Sequence, residues 1–250
     1  MNKIKIENLN FKYRENIIYQ NLNLDIVSNS YTTIVGPVGS GKTTLFKLII
    51  DHYESIKING KINYILTNPN YQITSKTVKK QLMFFLENNH YTKRQITKRV
   101  NDIVKEFNLE NIIDKDPFLL SEGEKQLVIL CSHLVLDLDI LLMDNALCRM
   151  DLQLKKKIIS YFIKLKRKKV TIVNFTSDLN ETYLSDYTIL LDRKLIINKK
   201  TKEVINNNKI FNENNLKLPF LNDISNKLNY YDLLKKPVNS IEELVDELWK

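Results

Sequence analysis

GPVGSGKTT, residues 36–44, fits the pattern G-x-x-x-x-G-K-[ST], and the rest of the chain is read outward from it. Gly36, Gly39 and Gly41 let backbone N–H groups curl around phosphate oxygens where a Cβ would obstruct. The helix expected behind them adds the positive end of its dipole. With Ser40 and Thr44 these residues form a candidate ATP-binding loop. Lys42 is placed to reach the β- and γ-phosphates, and the Thr43 hydroxyl to ligate Mg²⁺. A chance glycine-rich turn could carry the same letters. Here YTTIV (31–35) reads as a strand in front and KTTLFKLII (42–50) as a helix behind, which is the context the motif requires.

About 100 residues on, the apolar run DILLMD (139–144) delivers Asp144 at its carboxyl end. An aspartate at a strand end is usually only surface, but paired with a phosphate loop it becomes the expected Mg²⁺ partner. VTIVNFT (170–176) and YTILLD (187–192) are further continuous apolar runs. Such runs separated by helices are how a parallel sheet covered on both faces looks in sequence. Upstream, KIKIENL (3–9) and IIYQNLNLDI (17–26) alternate like half-buried antiparallel strands. SIKING (55–60) and KINYIL (61–66) suggest a hairpin turning at Asn59-Gly60. Residues 76–107 are helical in pattern with a break at Asn88-Asn89, and 121–136 form another helix opened by a capping box of Ser121 and Glu124. From KIFNENNLKLPFL (209–221) onward the texture changes to short amphipathic segments. The expected fold is therefore α/β: a nucleotide-binding unit over 1–207 with a mostly parallel core sheet, an N-terminal antiparallel β subdomain and a helical subdomain at about 76–136. Residues 208–250 form a small C-terminal appendage.

Composition excludes several classes. No uninterrupted apolar run approaches the roughly 20 residues a membrane helix needs, and MNKIKIENLNFKY lacks the apolar centre of a signal peptide. Both features point to a cytosolic protein. Cys131 and Cys148 have neither CxxC spacing nor a nearby histidine pattern, so no zinc site or disulfide framework is indicated. The net charge of +9 is spread along the chain. Its densest run, KLKRKK (164–169), ends a helix where cations complement the dipole, so no nucleic-acid partner is expected.

LSEGEKQ (120–126), just before a helix and upstream of ILLMD, resembles the LSGGQ signature of ATP-binding cassette (ABC) proteins, with Glu122 and Glu124 in place of a Gly and the Gln. In order with the phosphate loop and Asp144, it identifies the chain as a member of that family. LTNPNYQITSKTV (66–78), LKLPFLNDISNKLNYY (216–231) and SIEELVDEL (240–248) further resemble the ATP-binding subunits of energy-coupling factor transporters, importers of vitamins or of cobalt and nickel. The resemblance implies that Tyr13 stacks on adenine and that Ser121 and Gly123 grip the γ-phosphate bound to an opposing subunit. It further implies that Asp151 is the D-loop aspartate and that the tail is a candidate dimerisation element. The implied cofactors are ATP and Mg²⁺. The implied partners are a second ABC ATPase subunit, a transmembrane coupling subunit and a substrate-binding membrane protein, which would place the chain peripherally on the cytoplasmic face of the membrane.

Three positions depart from the family pattern. Asn145 replaces the carboxylate that prepares water, Ser177 in FTSDL stands where a switch histidine is expected, and Thr67 replaces the Q-loop glutamine, while Gln72 survives. An amide cannot accept a proton near neutral pH. The chain's own site is therefore expected to bind ATP and hydrolyse it poorly. Head-to-tail pairing with an intact cassette would give one impaired and one competent site. A soluble ATP-binding regulator and a nucleic-acid- or ribosome-associated ATPase are the alternatives. The latter usually carry a coiled-coil insertion or two cassettes, whereas fewer than 80 residues separate Lys42 from Ser121 here.

Overall fold

A computed structural model describes residues 2–249 other than 215, 237, 239 and 240. In chain order the elements are β1 (Ile4–Tyr13), β2 (Asn16–Ile26), β3 (Tyr31–Val35), α1 (Lys42–Ile50), β4 (Ile56–Ile58), β5 (Ile62–Ile65), α2 (Val78–Asn88), α3 (Lys93–Phe107) and α4 (Glu122–Leu134). They continue with β6 (Ile140–Asp144), α5 (Leu152–Arg167), β7 (Thr171–Thr176), β8 (Tyr187–Leu191), β9 (Leu195–Lys200), α6 (Thr201–Ile205), α7 (Asn208–Glu213), α8 (Phe220–Tyr230) and α9 (Ile241–Leu248).

The apolar runs become the central strands. The six-stranded sheet has the order β5-β6-β7-β3-β8-β9, all parallel except β9, which returns antiparallel along β8. Every residue of β3, β6 and β7 is buried, because helices cover both faces. The smaller sheet, β2-β1-β4, is antiparallel, and its strands alternate between core and solvent. The register of the large sheet places Val35 opposite Thr176 and Asp144 opposite Phe175. The phosphate loop, Asp144 and the loop opening at Ser177 therefore leave the sheet at one edge, the carboxyl ends of adjacent strands where α/β proteins bind ligands.

The Asn59-Gly60 hairpin does not form. β4 pairs with β1 and β5 with β6, so the chain crosses between sheets at this turn. Gly60 takes φ +131°, and a Cβ there would stand 2.9 Å from Asp139 Cβ, while Asp139 accepts from Lys61 N at 3.0 Å. A turn-forming dipeptide sets only the local bend. Which strand each arm joins depends on the edge each one reaches.

Around the helical layer, Thr77, Thr92 and Ser121 cap α2, α3 and α4, the last two in full capping boxes. The capped face of α4 is followed by a segment, Gln126–Leu134, in which every residue is buried, so the helix runs through the core rather than over it. α7 closes over the other flank, where Phe211 packs with Val35, Leu190 and Val204. The tail stretch from 240 to 248 lies partly outside the described residues, beginning with Ser240.

Candidate nucleotide-binding site

The phosphate loop owes its shape to close approaches as well as to glycine flexibility. A Cβ on Gly36 would stand 1.9 Å from Leu191 O, and one on Gly41 2.5 Å from Tyr19 Oη. Gly39 and Gly41 adopt φ of +83° and +97°, the left-handed region that glycine enters without strain. Gly41 caps α1 with no side-chain hydrogen bond, leaving the first-turn N–H groups for an incoming anion. Lys42 is buried. Its ammonium donates to Gly36 O at 2.8 Å, Pro37 O at 2.9 Å and Ser40 Oγ at 3.2 Å, so its charge lies at the rim of the cradle. Burial pushes its pKa down, against the pull of Asp144 and Asp192. The turn after β8 closes the loop from outside, Arg193 N donating to Ser40 O at 2.9 Å.

Asp144 gathers the rest. Its Oδ2 accepts from Thr43 Oγ1 at 3.3 Å and Thr67 Oγ1 at 3.0 Å, and its Oδ1 from Asn145 Nδ2 at 3.3 Å. Burial raises the Asp144 pKa, opposed first by the Thr67 and Thr43 hydroxyls and then by Lys42 and Lys47. A hydroxyl beside a carboxylate is a hard oxygen donor set of the kind Mg²⁺ takes. Together with the N–H cradle and Lys42, it fits a Mg²⁺-nucleotide. Asn145 is held at φ +50° with its N–H on Phe175 O at 2.8 Å. Its amide turns its donor side to Asp144.

The other expected residues are placed as follows. The Gln72 amide is committed to main chain at the end of β5, accepting from Leu66 N at 2.8 Å and donating to Tyr64 O at 3.0 Å. Buried Gln126 of α4 holds the same place, donating to Leu66 O at 3.1 Å. These two amides deliver Thr67 to Asp144. Asp151 caps α5 through Leu154 N at 2.8 Å. Ser177 is exposed and makes no hydrogen bond to Asp144, Thr43 or Thr67 among the described residues. It opens instead on a cleft shared with Asn180, Lys217 and Phe220. Tyr13 is half exposed, at the tip of the β1–β2 pair, with its ring edge-on to Phe11 at 4.9 Å. The same pair presents Tyr19 to Gly41. Ser121 is exposed at the head of α4, and Gly123 fits against Arg149 O, 2.9 Å from where its Cβ would be. The signature segment thus rests on the loop that follows Asp144.

Tyr19, Gln126, Asp192 and Arg193 complete the site and are not evident from the sequence. Gln126, buried where the charged first turn of α4 meets its apolar remainder, offered a faint signal and the other three none.

A parallel sheet with this loop and carboxylate at its carboxyl edge, an antiparallel β subdomain and a helical layer define a P-loop nucleotide-binding cassette. The ABC transporter family matches residues 19–148, and the chain belongs to that family of ATPases. It is similar to the energy-coupling factor transporter ATP-binding protein EcfA1 of Leuconostoc mesenteroides, 30% identical over 90% of this chain and 91% of that one. It is 32% identical to the protein of the same name in Ligilactobacillus salivarius, over 99% and 95% of the two chains. The fold matches the structure of cbiO1 from Clostridium perfringens, described as part of the ABC transporter complex cbiONQ, with TM-score 0.73 and 23% identity over 87% of this chain and 96% of that one.

Proposed function

We infer that this chain is the ATP-binding subunit of an energy-coupling factor importer for a vitamin or for cobalt or nickel. In this reading it binds Mg²⁺-ATP, pairs head-to-tail with a catalytically intact second cassette, and passes closure to a transmembrane coupling subunit and a substrate-binding membrane protein. Similarity over nearly the whole chain to relatives named as energy-coupling factor ATP-binding proteins supports the transport assignment. No helix among the described residues is long and apolar enough to cross a membrane, so attachment at the cytoplasmic face would run through those partners.

The observation that carries the asymmetric part is the company Asp144 keeps. Thr43, Thr67 and Asn145 all donate to it, and none of them can take a proton from water. A site so arranged holds a metal and a nucleotide without a general base, which is typically worth about 10²- to 10⁴-fold in rate. Residues 1–207 would form the cassette, with the helical subdomain at about 76–136, and 208–250 an appendage serving dimerisation.

The test is to compare binding with turnover in the purified chain. Wild type should bind a fluorescent ATP analogue with Mg²⁺, Lys42→Ala should lose that binding, and turnover should lie at least about 10²-fold below that of an intact cassette. Turnover by the chain alone at an ordinary cassette rate would overturn the asymmetric pair.

A further inference from the structure

Glu181 is a carboxylate with 2% of its surface exposed, in the single turn Leu179–Leu184 that follows Ser177. It makes no hydrogen bond to the phosphate loop or to Asp144 among the described residues. Its Oε1 accepts from the Lys155 ammonium at 3.1 Å and its Oε2 from Asn174 Nδ2 at 2.8 Å. Asn174 is itself buried, between Val173 and Phe175 of β7, and its Oδ1 has no partner among the described residues. A polar side chain half satisfied inside an apolar strand costs free energy, so its place there is explained by the carboxylate it holds.

Three segments meet at this one group. Lys155 stands one turn into α5, its main-chain N–H on Asp151 O at 3.0 Å, and Asp151 caps that helix where the loop after β6 ends. Asn174 lies in the strand that feeds Ser177, and its neighbour Phe175 accepts from Asn145 N at 2.8 Å through its carbonyl. The third segment is the turn carrying Glu181. The loop from Asn145 to Asp151, held at both ends in this way, in turn supports Gly123 through Arg149 O. The outer side of the turn is bonded separately to the appendage, Asn180 Oδ1 accepting from Phe220 N at 2.9 Å and Tyr183 Oη from Asn222 N at 3.1 Å. Without the inner tie the turn would stay attached on that side alone.

We propose that Glu181 is a positioning residue for ATP turnover: with Lys155 it fixes the turn after Ser177 against the head of α5, so that the loops following β6 and β7 close on nucleotide as one body. A buried ion pair adds little net stability over neutral groups of the same shape, whereas it holds its two elements in one register. The effect on turnover rests on the reading of the chain as half of a head-to-tail pair, while the tie itself lies within one chain.

The test compares the full chain as wild type, Glu181→Gln, Lys155→Met and the double variant. Either single change strands one buried charge and should lower the melting temperature. The double variant removes both charges in nearly the same shape, keeps an acceptor for Asn174, and should melt near wild type. Its Mg²⁺-ATP binding should be unchanged, because the phosphate loop and Asp144 are untouched. Amide exchange should quicken at 151–155 and 177–184, with β3 and β6 protected as in wild type. In the assembly isolated from membranes the double variant should keep its KM for ATP and lose turnover about 10²-fold, the cost of misplacing reacting groups by roughly 1 Å. A double variant with wild-type exchange and turnover would overturn the proposal and leave the pair as ordinary packing. Wild-type turnover despite quickened exchange would overturn it too, since loose loops would then close as well as fixed ones. If no second cassette accompanies the chain, the head-to-tail reading fails, and exchange alone decides the tie: quickened at both segments upholds it, unchanged overturns it.

Discussion

Asp144 is the residue on which the nucleotide site turns, and its surroundings decide how it behaves. Its ordinary pKa is raised by burial and pulled back by hydroxyls, chiefly that of Thr67. Metal binding needs the ionised carboxylate, so acidification should weaken Mg²⁺-dependent ATP binding at a higher pH than an exposed aspartate would allow. Thr67→Val removes a donor while keeping the shape. It should weaken Mg²⁺-dependent binding about tenfold and move its acid limb to still higher pH, with metal-free binding unchanged. Titrating a fluorescent ATP analogue with and without Mg²⁺ across pH checks both, and an unmoved acid limb would remove Thr67 from the site. In the proposed site Thr67, which stands where the family pattern has glutamine, donates to Asp144. It steadies the carboxylate that would hold the metal.

Among the elements, α4 has two parts, an exposed cap at Ser121 and a remainder, Gln126–Leu134, that threads the core. Its buried His133 lies against Phe85 at 4.5 Å, and burial lowers its pKa to about 4 from an ordinary value near 6.5. The folded state binds this proton later than the unfolded state, so the stability it protects is fully present above about pH 6.5 and is lost as pH falls toward 4. The loss should reach about 3 kcal/mol, and His133→Leu should flatten the difference in melting temperature between pH 7.5 and 5. An equal difference in the variant would assign the acid sensitivity elsewhere. Elements also differ in how well they can be read. The runs that became β6, β7 and β8 were legible because burial on both faces writes itself as continuous apolar sequence, and β3 because β-branched and aromatic residues lead into the phosphate loop. β9 was not read, since LIINKK is half-buried and belongs to the sheet only through β8. The Asn59-Gly60 arms were misjoined because β5 finds its partner in β6, on the far side of the helical subdomain, a pairing no local pattern records. The phosphate loop was legible for the opposite reason: its chemistry is contiguous in the chain. The Gln126 contact that places Thr67 joins residues 60 positions apart, and only the folded chain brings them together.

At the scale of the whole molecule, the proposed reading is of a chain that holds ATP and lacks a base of its own to hydrolyse it. A cradle built on close backbone approaches, a buried lysine and a carboxylate surrounded by donors support that reading. In the proposed pair the segment at the head of α4, where Ser121 is exposed, would face another subunit's nucleotide. The measurement that bears most directly on this account is to tag the full chain, extract it gently from its own membranes and identify what copurifies. The account predicts a second ABC cassette carrying glutamate immediately after the strand equivalent to β6, together with a multi-span membrane protein. Recovery of this chain alone, free of membrane protein and of any second cassette, would contradict it.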